Sequence, residues 1–244
     1  MKDQTTRRHF LKTSAAVSAA AMLRSEGLFA AGTERIKLAL IGCGGRGNGA
    51  LKDCLAAAQT LGIETQIVGL ADFFKERVQK TAAEHGVPES LCFEGPLSYQ
   101  KALATDADVA ILVTPPIFRP RHFEAAIAAG KHVFMEKPVA VDPPGARKIM
   151  EIGRAAAAKK LGVVVGAQRR HQTAYVQTKH AIDAGAIGTL LSGQVWWCMS
   201  HLWYAPRQPG ESDADYMVRN WVSFTEMSGD HIVEQHFHNL DVAN

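Results

Sequence analysis

An α/β fold on a doubly wound parallel sheet is what this chain predicts, from three observations. Short apolar runs alternate with longer segments of helical spacing, the pattern of parallel strands joined by crossover helices. The first run stops at a glycine-rich turn, Gly42-Cys43-Gly44-Gly45-Arg46-Gly47, which opens a helix. Asp72, Thr114, Glu136 and Gln168 fall just past the ends of successive runs, where an open parallel sheet forms its ligand crevice.

Taken in order, residues 36–41 form the first strand and 48–60 a helix, with Ala50, Leu51, Cys54, Leu55 and Ala58 on one side. Residues 66–71 are the second strand, and 74–85 a helix stopped by Gly86. Residues 109–113 are a strand halted by Thr114-Pro115-Pro116, and 122–129 a helix ending at Gly130. Residues 131–135 return as a strand, 144–160 as a helix and 161–165 as another strand. The pattern then changes. A helix over 175–184 closes at Gly185, and 190–199 alternates and is aromatic, predicting the first strand of a second sheet. Residues 203–215 read as irregular loop and 232–242 as a helix running into the last residue. One strand makes no sheet, so the expectation is a C-terminally truncated piece of a longer protein. The predicted division is 1–31 an export signal, 34–165 a nucleotide-binding domain and 166–244 a partial, mostly antiparallel α/β substrate domain.

The signal rests on Arg7-Arg8-His9-Phe10-Leu11-Lys12, a weakly apolar alanine-rich run to Leu23, and the small residues Ala30-Ala31. That is a twin-arginine (Tat) signal, too short and too polar for a membrane span. It implies passage through the Tat translocon and work outside the cytoplasm, in the periplasm of a cell with an outer membrane. A net charge of +3, with no basic block among aromatics, excludes nucleic acid as partner. The four cysteines lack Cys-x-x-Cys spacing, which argues against a zinc ribbon, and no metal site is expected.

Gly42, Cys43, Gly44, Gly45, Arg46 and Gly47 match Gly-x-Gly-x-x-Gly between strand and helix. The first glycine permits a tight turn, the second a close backbone approach to a pyrophosphate, the third close packing, and the helix N-terminus offers free N–H groups. Asp72 ends the second strand, where a carboxylate accepts from a ribose and repels a 2′-phosphate. NAD is therefore favoured, with Lys75 and Arg77 leaving NADP open. Thr114, Pro115, Glu136 and Lys137 complete the cofactor-side set at the strand ends. Lys137 precedes Pro138, which biases it to extended backbone at a pocket mouth. Helical spacing puts Glu234, His238 and Asp241 on one face, so a carboxylate stands one turn from a histidine and suits it as a general base. A structural polar face, or a metal held by His231, Glu234 and His238, are the competing readings of that helix.

Together the glycine loop, Gly130-Lys131-His132-Val133 with Glu136-Lys137-Pro138, Gln168-Arg169-Arg170 and the Glu234/His238 segment resemble the Gfo/Idh/MocA oxidoreductases. The resemblance implies a Rossmann domain followed by an α/β domain whose sheet often forms an oligomer interface, and hence a homo-oligomer for the longer protein. It implies Lys137, often followed by a cis proline peptide, as catalytic lysine and His238 as catalytic histidine. Glu234 stands at a position usually held by aspartate, His236 replaces a common glycine, and Arg119 stands where histidine is frequent. Gln168, Arg169 and His171 are the substrate-side candidates. The implied activity is hydride transfer between NAD(P) and a hydroxyl carbon of a sugar, cyclitol or derivative. An NAD-dependent glycosidase, or a truncated nucleotide binder without activity, are the alternatives.

Overall fold

The computed structural model describes residues 35–244, so the twin-arginine segment lies outside the described residues. The strands are β1 (Arg35–Ile41), β2 (Glu64–Asp72), β3 (Cys92–Glu94), β4 (Val109–Leu112), β5 (His132–Met135) and β6 (Val163–Val165). They form one sheet in the order β3-β2-β1-β4-β5-β6. The ladders β2–β3, β1–β4, β4–β5 and β5–β6 are parallel. The order reverses between β1 and β4, and there the crevice of a doubly wound sheet opens.

Alternation along β1 explains the two layers. Leu38 and Leu40 pack with Ala50 and Leu51 of α1 (Gly45–Thr60) and Val78 of α2 (Lys75–His85). Ala39 and Ile41 face the other core, which takes Tyr99 from α3 (Ser98–Leu103), Phe123 from α4 (Arg119–Ala128) and Ile152 from α5 (Pro143–Ala158). Strands buried on both faces read as continuous apolar runs, as these do. Gly86 caps α2 in the left-handed conformation and Asp142 caps α5 by accepting from Gly145 N. β3 and α3 did not register as elements in the sequence pattern, because each is too short to show a period.

Beyond β6 come α6 (Thr173–Asp183), α7 (Asp213–Arg219), α8 (Thr225–Ser228), α9 (Asp230–Glu234) and α10 (Phe237–Ala243). Three expectations change here. Residues 190–199 form no strand, because no partner strand is present among the described residues to take their backbone hydrogen bonds. The helix expected over 232–242 is two helices broken at Gln235 and His236. Part of the expected loop over 203–215 is the start of α7, capped by Ser212, which accepts from Asp215 N. Residues 36–244 make one compact unit. Among the described residues no helix is long and apolar enough to cross a membrane.

Candidate active site

The glycine loop takes the shape its residues predict. Gly42 has φ +106°, and its amide donates to Ala71 O at 2.7 Å. A Cβ there would meet the Val113 carbonyl carbon at 2.7 Å, and one on Gly47 would sit 1.8 Å from Gly42 O. Both positions therefore admit only glycine. Gly45, at the start of α1, has nothing within 4 Å of a Cβ position, and Gly44 has only Arg77 Nη1 at 3.9 Å. These two glycines leave an open cradle at the N-terminus of a 16-residue helix, which suits the phosphates of a dinucleotide.

Three side chains hold the loop. Asp72, almost wholly buried, accepts from Cys43 N (2.7 Å) through Oδ2 and from Phe74 N (2.9 Å) through Oδ1. Burial raises its carboxyl pKa, opposed by the Phe74 amide, the Arg77 charge and the Cys43 amide. A carboxylate offers about four lone-pair sites; Asp72 also lines the cavity and can still receive a ribose hydroxyl. Asn48 Nδ2 donates to Cys43 O (2.9 Å) and Gly44 O (3.1 Å), and Thr81 Oγ1 lies 3.1 Å from Asn48 Oδ1. Asn48 and Thr81 were not singled out from sequence, since nothing in their spacing marks them. Cys43 is a buried thiol whose pKa is pushed up by burial, which makes it inert packing.

A cavity of about 480 Å³ runs from this loop past Asp72 and Arg77 to Thr114, Pro115 and Phe118. Buried Arg119 shapes that last wall: Nη1 donates to Leu112 O (2.5 Å) and Nη2 to Thr114 O (2.8 Å), while Nε has no partner among the described residues. Desolvation lowers its pKa to about 10, opposed by Glu136, so the guanidinium stays charged. His122 Nδ1 lies 3.0 Å from Thr114 Oγ1, and its ring stacks on Tyr99 at 4.2 Å. Burial, then Arg119 and Arg121, lower its pKa to about 3, so it is neutral. The arginine found where histidine is frequent thus acts as a clamp on the end of β4.

Lys137, Glu234 and His238 do not line this cavity. They gather beyond β5, where Lys137–Pro138 is cis. Lys137 Nζ donates to both Glu234 O and Glu234 Oε1 at 2.6 Å, with both side chains nearly buried. The first of these bonds coincides with the helix break. A continuous helix would need Glu234 O for the His238 amide. Lys137 occupies it, and the His238 amide turns to Gln235 O at 3.4 Å. The Glu234 carboxylate, expected from its spacing to serve His238, instead accepts from Lys137 through Oε1 and from Gln235 through Oε2. His238 is half-buried and stacks on Trp197, ring centroids 5.5 Å apart. Its pKa is lowered by burial, then by Lys137 and Arg169, against the opposing charges of Glu234 and Asp241.

Glu136 joins the two halves of the site: Arg46 Nε donates to Glu136 Oε1 at 2.9 Å. The substrate-side candidates divide. Arg169 stays near His238, bonded to Asn239 Oδ1, with its guanidinium over the Tyr175 ring at 5.3 Å and the Trp197 ring at 5.5 Å. Gln168 and His171 instead line a second, mostly apolar cleft with Phe134 and Val164, which shares Arg46 with the first cavity. No group of three or more His, Cys, Asp or Glu placed to hold a metal occurs among the described residues.

Residues 4–23 match the twin-arginine translocation signal sequence. The chain is 37% identical over 157 residues to inositol 2-dehydrogenase of Pseudomonas fluorescens, covering 63% of this chain and 43% of that protein. It thus spans less than half the length of the curated relatives it matches. The scyllo-inositol dehydrogenase of Lactobacillus casei superposes with a TM-score of 0.53 at 25% identity, over 64% of this chain and 43% of that one. The aldose–aldose oxidoreductase of Caulobacter crescentus covers 86% of this chain and 56% of its own, with a TM-score of 0.62 at 17% identity, a likeness of fold alone. The model of the oxidoreductase family with an NAD-binding Rossmann fold (Gfo/Idh/MocA) matches residues 36–169, more than half of the 244, and the chain belongs to that family.

Proposed function

We propose that this chain is the cofactor-binding and catalytic part of an exported NAD-dependent dehydrogenase acting on a hydroxyl carbon of a cyclitol or sugar. The observation that carries the reading is the Glu136-Lys137 pair, which faces the glycine loop through Arg46 on one side and Glu234 on the other. Inositol 2-dehydrogenases among the relatives support the substrate class. NAD, when bound, supplies the hydride acceptor. The α1 N-terminus and the bare Gly44-Gly45 cradle bind its phosphates, and Asp72 takes the adenosine ribose and disfavours a 2′-phosphate. Lys137 donates a hydrogen bond to the reacting oxygen, and Glu234 keeps its ammonium aimed. His238, neutral at neutral pH, takes the hydroxyl proton. Arg169 fixes a further hydroxyl beside it. The match to a Tat signal supports export, and the location proposed for the protein is the periplasm of a cell with an outer membrane.

The test uses the longer protein, with cyclitols and sugars screened by the absorbance of reduced nicotinamide. Lys137→Met and His238→Ala should each cost roughly a hundredfold or more in kcat while NAD still binds. Either variant folded, NAD-bound and turning over at the wild-type rate overturns the assignment.

A further inference from the structure

The cavity at the glycine loop has a wall that comes from much later in the chain. Trp203, Trp221 and Val218 line it together with Arg77 and Phe118. The two indoles meet edge to face with centroids 6.3 Å apart. The wall is fastened to α2. Arg219 Nε donates to Glu211 Oε1 at 2.7 Å, its Nη1 donates to Glu76 Oε1 at 3.1 Å, and its guanidinium lies over the Phe74 ring at 4.1 Å. Arg77 lies over the same ring at 4.7 Å. Phe74, Val218 and Met227 form a small core of their own beneath the wall.

The Arg219 contacts with Glu76 and Phe74 bring this wall to the end of the crevice marked by Asp72 and Phe73, past the carboxyl end of β2. A dinucleotide with its phosphates at α1 puts its adenosine at that end. A purine presents flat π faces, and an indole offers a sequence-independent stacking surface for them. Trp203 has half of its surface exposed although it lines a cavity, which is unusual for an indole whose only role is packing.

The geometry points to Trp203 and Trp221 as the adenine-binding wall of this site, held shut by the Arg219 clamp on Glu76 and Phe74. The clamp then governs how fast the dinucleotide leaves. This rests on the dinucleotide reading above and adds to it the residues that bind the base.

The experiment titrates the 244-residue chain and its variants with NADH and with ADP-ribose, which carries only the adenosine half. Energy transfer from tryptophan to NADH and the NADH off-rate by stopped flow are followed in parallel. Trp203→Leu should weaken both ligands by the same factor, about tenfold, and lower the energy transfer, with the thermal midpoint unchanged. Trp203→Phe should restore most of the affinity. Arg219→Gln should raise the NADH off-rate about tenfold, the size expected for loss of a partly buried charge pair. Wild-type binding of ADP-ribose by Trp203→Leu overturns the proposal, as does failure of Trp203→Phe to rescue. Should the unaltered chain bind neither NADH nor ADP-ribose, the dinucleotide reading itself falls. Trp203 is half exposed and remains a usable test even if Arg219→Gln does not fold.

Discussion

His238 carries the chemistry of the proposed reaction, and its neighbours set its charge. Burial and two cations, Lys137 and Arg169, disfavour the imidazolium, while Glu234 and Asp241 favour it, and the net direction is down. The neutral, proton-accepting ring therefore persists to a lower pH than for an ordinary histidine. The His238 midpoint, followed by NMR of its ring proton and assigned with His238→Asn, should lie below the usual ~6.5. In Lys137→Met, loss of a cation should move it up. A midpoint at or above the usual value in the unaltered protein would sink this account. Glu234 enters by a different route from the one its spacing predicted. It holds the lysine rather than the histidine, because Lys137 takes both its carboxylate and its backbone carbonyl.

At the scale of the element, the glycine loop separates two jobs that share one motif. Gly47 stands where α1 crosses the loop, so Gly47→Ala drives a Cβ into the Gly42 carbonyl and should lower stability by at least ~2 kcal/mol, read as a lower urea midpoint. Gly45 faces open space, so Gly45→Ala should leave that midpoint within ~1 kcal/mol of the unaltered value or above it. The same change places a methyl group in the phosphate cradle and should weaken NADH. Equal loss of stability in both variants would show that the loop is uniformly packed and that the cradle is not open. The loop was legible in the sequence because each glycine's role follows from neighbours in the chain. The roles of Asn48, Thr81 and Arg119 were not, because the carbonyls of Cys43, Leu112 and Thr114 that they cap, directly or through Asn48, are aligned only once strand and helix have packed.

At the scale of the whole molecule, the described residues hold two cores around the sheet, a third small core under the tryptophan wall, and a stretch with almost none. Ile187, Leu190, Leu191 and Trp196 are mostly exposed, and the residues predicted as a strand make no ladder. Backbone outside any ladder and apolar side chains in water mark a segment that opens at low cost. Limited proteolysis of the 244-residue chain followed by mass spectrometry should cut first between residues 185 and 196 and leave the six-stranded sheet intact. First cuts inside 36–165 would contradict that order of stability.

The sequence by itself determined the parallel sheet, its strands and helices apart from β3 and α3, the glycine loop and the cofactor class. Those features rest on periodicity and on contacts between near neighbours, and both are written along the chain. Only the tertiary structure decided that Glu234 serves Lys137, that Arg46 ties the loop to Glu136, and that Trp203 and Trp221 wall the cavity. Lys137 and Glu234 stand 97 residues apart, and Glu76 and Arg219 stand 143 apart. No local pattern encodes such pairings, because the free energy that selects them exists only after the sheet has brought both partners to the same edge of the crevice.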